Sequence, residues 1–140
     1  MARIKHIAIS SQDPEKTATF FIDVFGLERI GKIERDDAQG YYLSDGNVNI
    51  AVLKYKDDSA AGEFGADYSG IHHIGFEVDN VAEADAKLKE YRALALDGNA
   101  SLRKSRSNGG HDRNVGLRYE GPDGIMIDIS QNGWVGTNGR

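Results

Sequence analysis

The chain has no cysteine. Thiolate metal sites, thiol nucleophiles and disulfides are therefore excluded, which leaves His, Asp and Glu as the protein ligands available to a metal. It also lacks any apolar run near the ~20 residues of a membrane span, and no signal-peptide pattern opens it. The expectation is a cytoplasmic protein without a membrane partner. An excess of basic charge is missing as well. Its 17 Lys and Arg stand against 22 Asp and Glu, and the net charge of -5 argues against non-specific nucleic-acid binding. The one basic cluster, Arg103-Lys104-Ser105-Arg106, is too short to reverse that. It reads as a solvated strand or loop face, or alternatively as a contact for a substrate anion.

What is present is the composition of a globular protein. With 140 residues the chain has the length of one domain, able to bury roughly two-thirds of its unfolded surface. Residues 3–10 alternate in apolar character as a strand. Asp13 and Pro14 then suit a helix N-cap and first turn, Ala18, Phe21, Val24 and Phe25 supply a buried stripe, and Gly26 ends it. Strands follow near 27–35, 40–44 and 47–55, with Asp45-Gly46 as a hairpin turn. The polar segment 56–69 connects to a second half: a strand over 70–78, a helix over about 81–92, then strands near 99–106, 114–120 and 124–130. The order is βαβββ, twice, in a single α+β domain covering 1–140 and duplicated as 3–55 and 70–130.

The duplication extends to particular residues. Ile4-Lys5-His6-Ile7-Ala8-Ile9-Ser10 is echoed by Ile71-His72-His73-Ile74-Gly75-Phe76-Glu77-Val78, so that His6 and His73 correspond. Asp45-Gly46-Asn47-Val48-Asn49-Ile50-Ala51-Val52 is echoed, with one gap, by Asp123-Gly124-Ile125-Met126-Ile127-Asp128-Ile129. Side chains alternate faces along a strand. In the first strand Ile7 and Ile9 share a face opposite His6; in the fifth, Ile74 and Phe76 lie opposite His73 and Glu77; in the last, Ile125, Ile127 and Ile129 lie opposite Asp128; in the fourth, Ile50 and Val52 lie opposite Asn49 and Ala51. Every candidate ligand is thus turned away from the apolar run expected to pack on a helix. One such residue would be an ordinary solvent-facing position, but three in phase at duplicated places point to sheets cupped around a polar site.

On these residues the chain resembles the vicinal oxygen chelate superfamily, which includes glyoxalase I, methylmalonyl-CoA epimerase, extradiol dioxygenases and the bleomycin and fosfomycin resistance proteins. The carrying pieces are "IKHIAIS", "IHHIGFEV", "DPEKTATFFIDVFGLE" and "GPDGIMIDIS". The resemblance implies two βαβββ modules forming paired half-barrels, and a divalent metal held by residues of the first, fourth, fifth and eighth strands. Those positions are His6, Ala51, His73 and Asp128 here, with His72 expected on the opposite face. Chains of this size in the superfamily usually dimerise, so a homodimer is expected.

Two departures direct the reading of function. Asp128 stands where the family usually has Glu, and Ala51 stands where glyoxalases and epimerases place a Glu or Gln. Two imidazoles and one carboxylate with open positions match the facial triad of non-haem iron(II) oxygenases. Fe2+ is thereby favoured, with Mn2+, Zn2+, Ni2+ and Co2+ as the other candidates. Gly109-Gly110-His111, Leu117 and Pro122-Asp123-Gly124 partly match the extradiol signature, which makes His111 a candidate catalytic acid–base group. Arg118 takes the place of that signature's tyrosine, and Tyr119, one residue along, should face the other way. Asn49 and Glu77 are candidate substrate-binding groups, and Glu77 or Asp128 would have to replace the missing base in isomerase chemistry. The sequence leans towards an extradiol-type dioxygenase acting on a small molecule with vicinal oxygens. A glyoxalase- or epimerase-type lyase or isomerase is the alternative, and a metal-free sequestering protein the second alternative.

Overall fold

The computed structural model describes residues 1–96 and 117–137. The first half opens with β1 (Arg3–Ser10) and α1 (Pro14–Phe25). The Asp13 side chain accepts a hydrogen bond from the Lys16 amide, Pro14 occupies the first turn, and Gly26 adopts φ 72° while donating its amide to the Ile22 carbonyl. These are the start and stop devices expected from the sequence. Next come β2 (Glu28–Glu34), β3 (Ala38–Ser44) and β4 (Asn49–Tyr55). The β3–β4 turn is held by Asp45, whose Oδ1 accepts from the amides of Asn47 and Val48, both at 2.8 Å.

The connecting segment carries more structure than its polar composition announces. It holds α2 (Asp58–Ala61), capped by Asp57, and a single 3-10 turn (Gly62–Phe64). The second half then runs through β5 (Gly70–Glu77), α3 (Val81–Glu90, capped by Asn80), β6 (Leu94–Ala95), β7 (Leu117–Glu120) and β8 (Met126–Ser130). The strand expected at 99–106 and the start of that expected at 114–120 lie outside the described residues.

The eight strands form one open mixed sheet in the order β2-β3-β4-β1-β5-β8-β7-β6. Each half contributes four strands with the same internal pairing, β1 parallel to β4 and β5 parallel to β8. The antiparallel β1–β5 pair joins the halves. The α+β class and the paired βαβββ modules are therefore as expected.

One side of the sheet carries the helices. Ala18 of α1 is fully buried with Leu43 and Val52, flanked by Phe21, Ile22 and Ile50, whereas Val24 and Phe25, expected in the same stripe, are exposed at the end of the helix. On the other half Leu117, Tyr119 and Ile129 pack beneath Val81, Ala84 and Leu88 of α3. Each Leu, Ile or Val among them contributes about 1.5–3 kcal/mol on full burial. The expectation of helix-packed apolar runs needs correction at the centre. Ile7, Ile9 and Ile74 remain half-buried and Ile71 is 57% exposed, because α1 packs on β2 to β4 and α3 on β8, leaving the outer face of β1 and β5 between them.

Two irregularities decide the opposite face. The β1–β5 register skips Lys5 between Ile4 and His6, and skips His72 between the partners of Ala8 and Ile9. Each extra residue is a bulge placed directly before the duplicated histidine. As a result His72 and His73 are both buried and their Nδ1 atoms lie 2.9 Å apart. The sequence expectation that His72 faces the other side is thus wrong: simple alternation fails where a strand bulges.

Candidate metal centre

Register brings the polar residues into one row. Asn49, His6, Gly75, Asp128 and Arg118 sit side by side on β4, β1, β5, β8 and β7. His73 stands in the adjacent row with Ala8 and Ala51. His6, His73 and Asp128, all buried, present ligand atoms within 4.8 Å of one another. His6 Nε2 is 3.1 Å from His73 Nε2, which is 3.2 Å from Asp128 Oδ2.

Backbone carbonyls set the tautomer of each imidazole. Asn49 donates its amide nitrogen to the Val135 carbonyl at 2.9 Å, so its Oδ1 must be the atom facing His6. That oxygen can only accept, so His6 Nδ1 carries the proton of the 2.7 Å bond and Nε2 carries a lone pair. The same logic runs through the second histidine. The Ala61 carbonyl accepts from His72 Nε2 at 2.6 Å, leaving His72 Nδ1 to accept from His73 Nδ1 at 2.9 Å. His73 Nε2 is then an acceptor too. Burial supports the neutral forms: it is the largest influence on both His72 and His73 and lowers their pKa values, well below the ordinary 6.5 for His73 despite the opposing charge of Asp128.

The His6 Nε2 and His73 Nε2 lone pairs converge beside the Asp128 carboxylate; Arg118 Nη2 donates to His73 Nε2 at 3.3 Å, and a divalent ion would take both lone pairs. A metal–nitrogen bond of ~2.0–2.1 Å would put two ligand nitrogens roughly 3 Å apart at a right angle, close to the separation seen here. With the Asp128 carboxylate as third donor, the residues fit a divalent metal accepting nitrogen and oxygen ligands. The carbonyl–Asn49–His6 and carbonyl–His72–His73 chains are the outer hydrogen bonds that hold ligand rings in place.

Arg118 adds a feature that the sequence analysis did not anticipate. Its Nε and Nη2 fork the two oxygens of Asp128 at 2.6 and 3.0 Å, and Nη2 also donates to His73 Nε2 at 3.3 Å. Burial alone would raise the Asp128 pKa, but the charge and hydrogen bonds of Arg118 hold it well below the ordinary 3.8. Arg118 is in turn kept firmly protonated, the pull of Asp128 outweighing its desolvation. Tyr119 faces the other way, as expected, and hydrogen-bonds Asp85 of α3. Arg118 was identifiable in principle, being the β7 residue in phase with Asp128.

Trp134 closes one wall, stacking on His6 with ring centroids 5.0 Å apart and planes 2° from parallel. Gly75 makes room for it, since a Cβ there would lie 2.7 Å from both His6 Cβ and Trp134 Cζ2. A cavity of about 90 Å³ opens on the three ligands, with Ala51, Tyr42 and Tyr55 among its walls and the ion pair Arg35–Asp37 (3.3 Å) at its lining. Ala51 brings no ligand atom to it. Asn49 lies behind His6, holding the ring. Glu77, at the end of β5, is not among the residues lining the cavity; its Oε2 is buried with no hydrogen-bond partner among the described residues. His111 lies outside the described residues.

Comparison with known proteins places the chain in a family. Residues 3–129 match the model of the Glyoxalase/Bleomycin resistance protein/Dioxygenase superfamily. The mitochondrial methylmalonyl-CoA epimerase of Mus musculus is 24% identical over 137 residues, covering 94% of this chain and 74% of the relative. The Homo sapiens enzyme of the same name is 25% identical with the same coverage. Among solved structures, a methylmalonyl-CoA epimerase in complex with methylmalonyl-CoA and NH4+ superposes with TM-score 0.64 at 18% identity, over 92% of this chain and 93% of that one. The Mycobacterium tuberculosis epimerase gives 0.65 at 15% identity, over 91% and 85%. No helix among the described residues is long and apolar enough to cross a membrane. With its duplicated modules, its bulge-set histidines and a family match over nearly its whole length, the chain belongs to the glyoxalase/bleomycin resistance protein/dioxygenase superfamily.

Proposed function

We propose that the protein is a divalent-metal enzyme that moves a proton next to a carbonyl group of a small molecule bearing vicinal oxygens, the isomerase or epimerase type of chemistry. The observation that carries this reading is the convergence of the His6 and His73 lone pairs beside Asp128. The relatives bear the name of epimerases, which supports the alternative of the sequence analysis and gives none to its oxygenase lean. The preference for Fe2+ rested on that lean, so the choice of ion reverts to those accepting nitrogen and oxygen donors.

His6, His73 and Asp128 would hold the ion, which supplies Lewis-acid stabilisation of negative charge developing on a substrate oxygen. The chain's own contribution is positional. Asn49 and His72 fix the ring orientations, and Trp134 keeps water off one face of His6. Among the described residues the carboxylates lining the cavity are Asp128 and Asp37. Asp128 is buried and forked at both oxygens by Arg118, a poor proton acceptor in consequence; Asp37, more exposed and held by Arg35 through a longer 3.3 Å contact, is the better candidate for that role. We further propose a homodimer, supported by the half-covered apolar strip on the outer face of β1 and β5 and by exposed Phe20, Val24 and Phe25 on α1.

The test is solvent exchange. Apo protein reconstituted with Co2+, Mn2+, Ni2+ or Zn2+ is incubated in D2O with 2-substituted acyl thioesters and 2-hydroxy or 2-oxo acids, and the signal of the proton next to the carbonyl is followed by NMR. Metal-dependent loss of that signal for one substrate class is the expected result. No exchange with any ion, together with oxygen consumption by the Fe2+ form on catechols, would refute the reading.

A further inference from the structure

The charged side chains that line the cavity among the described residues balance without a metal. Arg35 and Arg118 are offset by Asp37 and Asp128, and the two imidazoles are neutral by the tautomer argument above. A divalent ion adds two positive charges to this balanced set. Its carboxylate ligand, Asp128, is already matched charge for charge by the Arg118 fork, and Ala51 brings no second carboxylate. Buried charge without a counter-charge is costly, and with no further carboxylate lining the cavity among the described residues, a ligand entering the open coordination positions can supply one.

We propose that the metal-loaded cavity selects a small dianionic chelator, a carboxylate with a second negative or ionisable oxygen on the adjacent carbon, and that Arg118 and Ala51 set this preference. The substrate class is then that of 2-oxo and 2-hydroxy acids in their enolate-like form. This inference rests on the metal reading of the same site. Trp134 also lines the cavity, and its buried Nε1–H has no acceptor among the described residues. A guanidinium forked on a metal's own carboxylate ligand leaves that metal more electrophilic, and a planar dianion gains from both charges.

The experiment uses the full chain loaded with Co2+. Metal stoichiometry is measured first by titration against the cobalt absorption bands; absence of one bound ion would refute the metal reading itself, before any ligand is added. Oxalate (a planar dianion with two vicinal oxygens) and hydroxyacetone (a neutral molecule with the same oxygen spacing) are then titrated calorimetrically into wild type and into Arg118→Met, Ala51→Glu and Ala51→Gln. Oxalate is expected to bind wild type, and at least tenfold more weakly both in Arg118→Met and in Ala51→Glu relative to Ala51→Gln, while hydroxyacetone responds equally to Glu and Gln. The glutamate and glutamine variants each add a ligand and differ only in charge, so the comparison stands even if Arg118→Met does not fold. Oxalate affinity within threefold between the Glu and Gln variants, or in a folded, metal-loaded Arg118→Met within threefold of wild type, overturns the proposal.

Discussion

Replacing Asn49 with alanine tests whether the site depends on a fixed imidazole tautomer. Asn49 is fully buried and serves two partners, accepting from His6 Nδ1 at 2.7 Å and donating to the Val135 carbonyl at 2.9 Å. The substitution leaves one donor and one acceptor without their partner. Each costs about 1–3 kcal/mol, so the metal-free protein should lose roughly 2–6 kcal/mol, a fall in melting temperature on the order of 10 °C for a chain of this size. The second consequence concerns the ligand. A His6 ring no longer held by Oδ1 samples both tautomers and other orientations, and loss of such a supporting hydrogen bond weakens metal affinity by about 10–100-fold. Asn49→Asp is the control. It keeps an acceptor for His6 Nδ1 but withdraws the donor from Val135, so it should lose stability while retaining metal affinity. Competition with a chelator of known affinity measures the metal term, and calorimetric melting of apo protein measures the stability term. An Asn49→Ala protein that binds metal as tightly as wild type would refute the positioning argument, even if it were less stable.

Two further outcomes follow from the same geometry. The pKa values of His72 and His73 are lowered by burial relative to the ordinary 6.5, so the unfolded chain takes up protons that the folded one refuses; metal-free protein should lose stability as pH falls below about 6.5, and again below about 4 as the depressed Asp128 is titrated from its ordinary 3.8. A melting temperature flat between about pH 8 and pH 5.5 would contradict this. Gly75→Ala should displace Trp134 from His6, destabilise by about 1–3 kcal/mol and shift the tryptophan emission, whereas unchanged emission would show that the stacking does not require the glycine.

The fold was legible because its signals are local and repeated. Asp13-Pro14 and Gly26 mark a helix by capping chemistry, and the alternation within β1, β4, β5 and β8 put His6, Ala51, His73 and Asp128 on one face. The same alternation misplaced His72, because a bulge is set by pairing between distant strands and leaves no mark on the strand that contains it. Asn49 was read as facing substrate; its cross-strand pairing with His6 makes it instead a support for that ring. Arg118 was noticed only as a mismatch to a tyrosine, since its fork on Asp128 arises from β7–β8 pairing across a turn. Ala51 supported the oxygenase lean on the count of ligands alone. Counting ligands says how many positions are open and nothing about the charge that the surrounding side chains leave uncompensated. The connecting segment 56–69, polar in composition, still supplies the Ala61 carbonyl on which the His72–His73 chain is anchored.

The central claim is that His6, His73 and Asp128 hold one divalent ion, and the most direct measurement is metal content after anaerobic purification and reconstitution, determined by elemental analysis for wild type, His6→Ala and His73→Ala. The account predicts one ion per chain in wild type and loss of tight binding in each variant, with the far-UV circular dichroism of all three alike because these side chains face the cavity and not the helix-packed core. Stoichiometric metal retained by both single variants would contradict it.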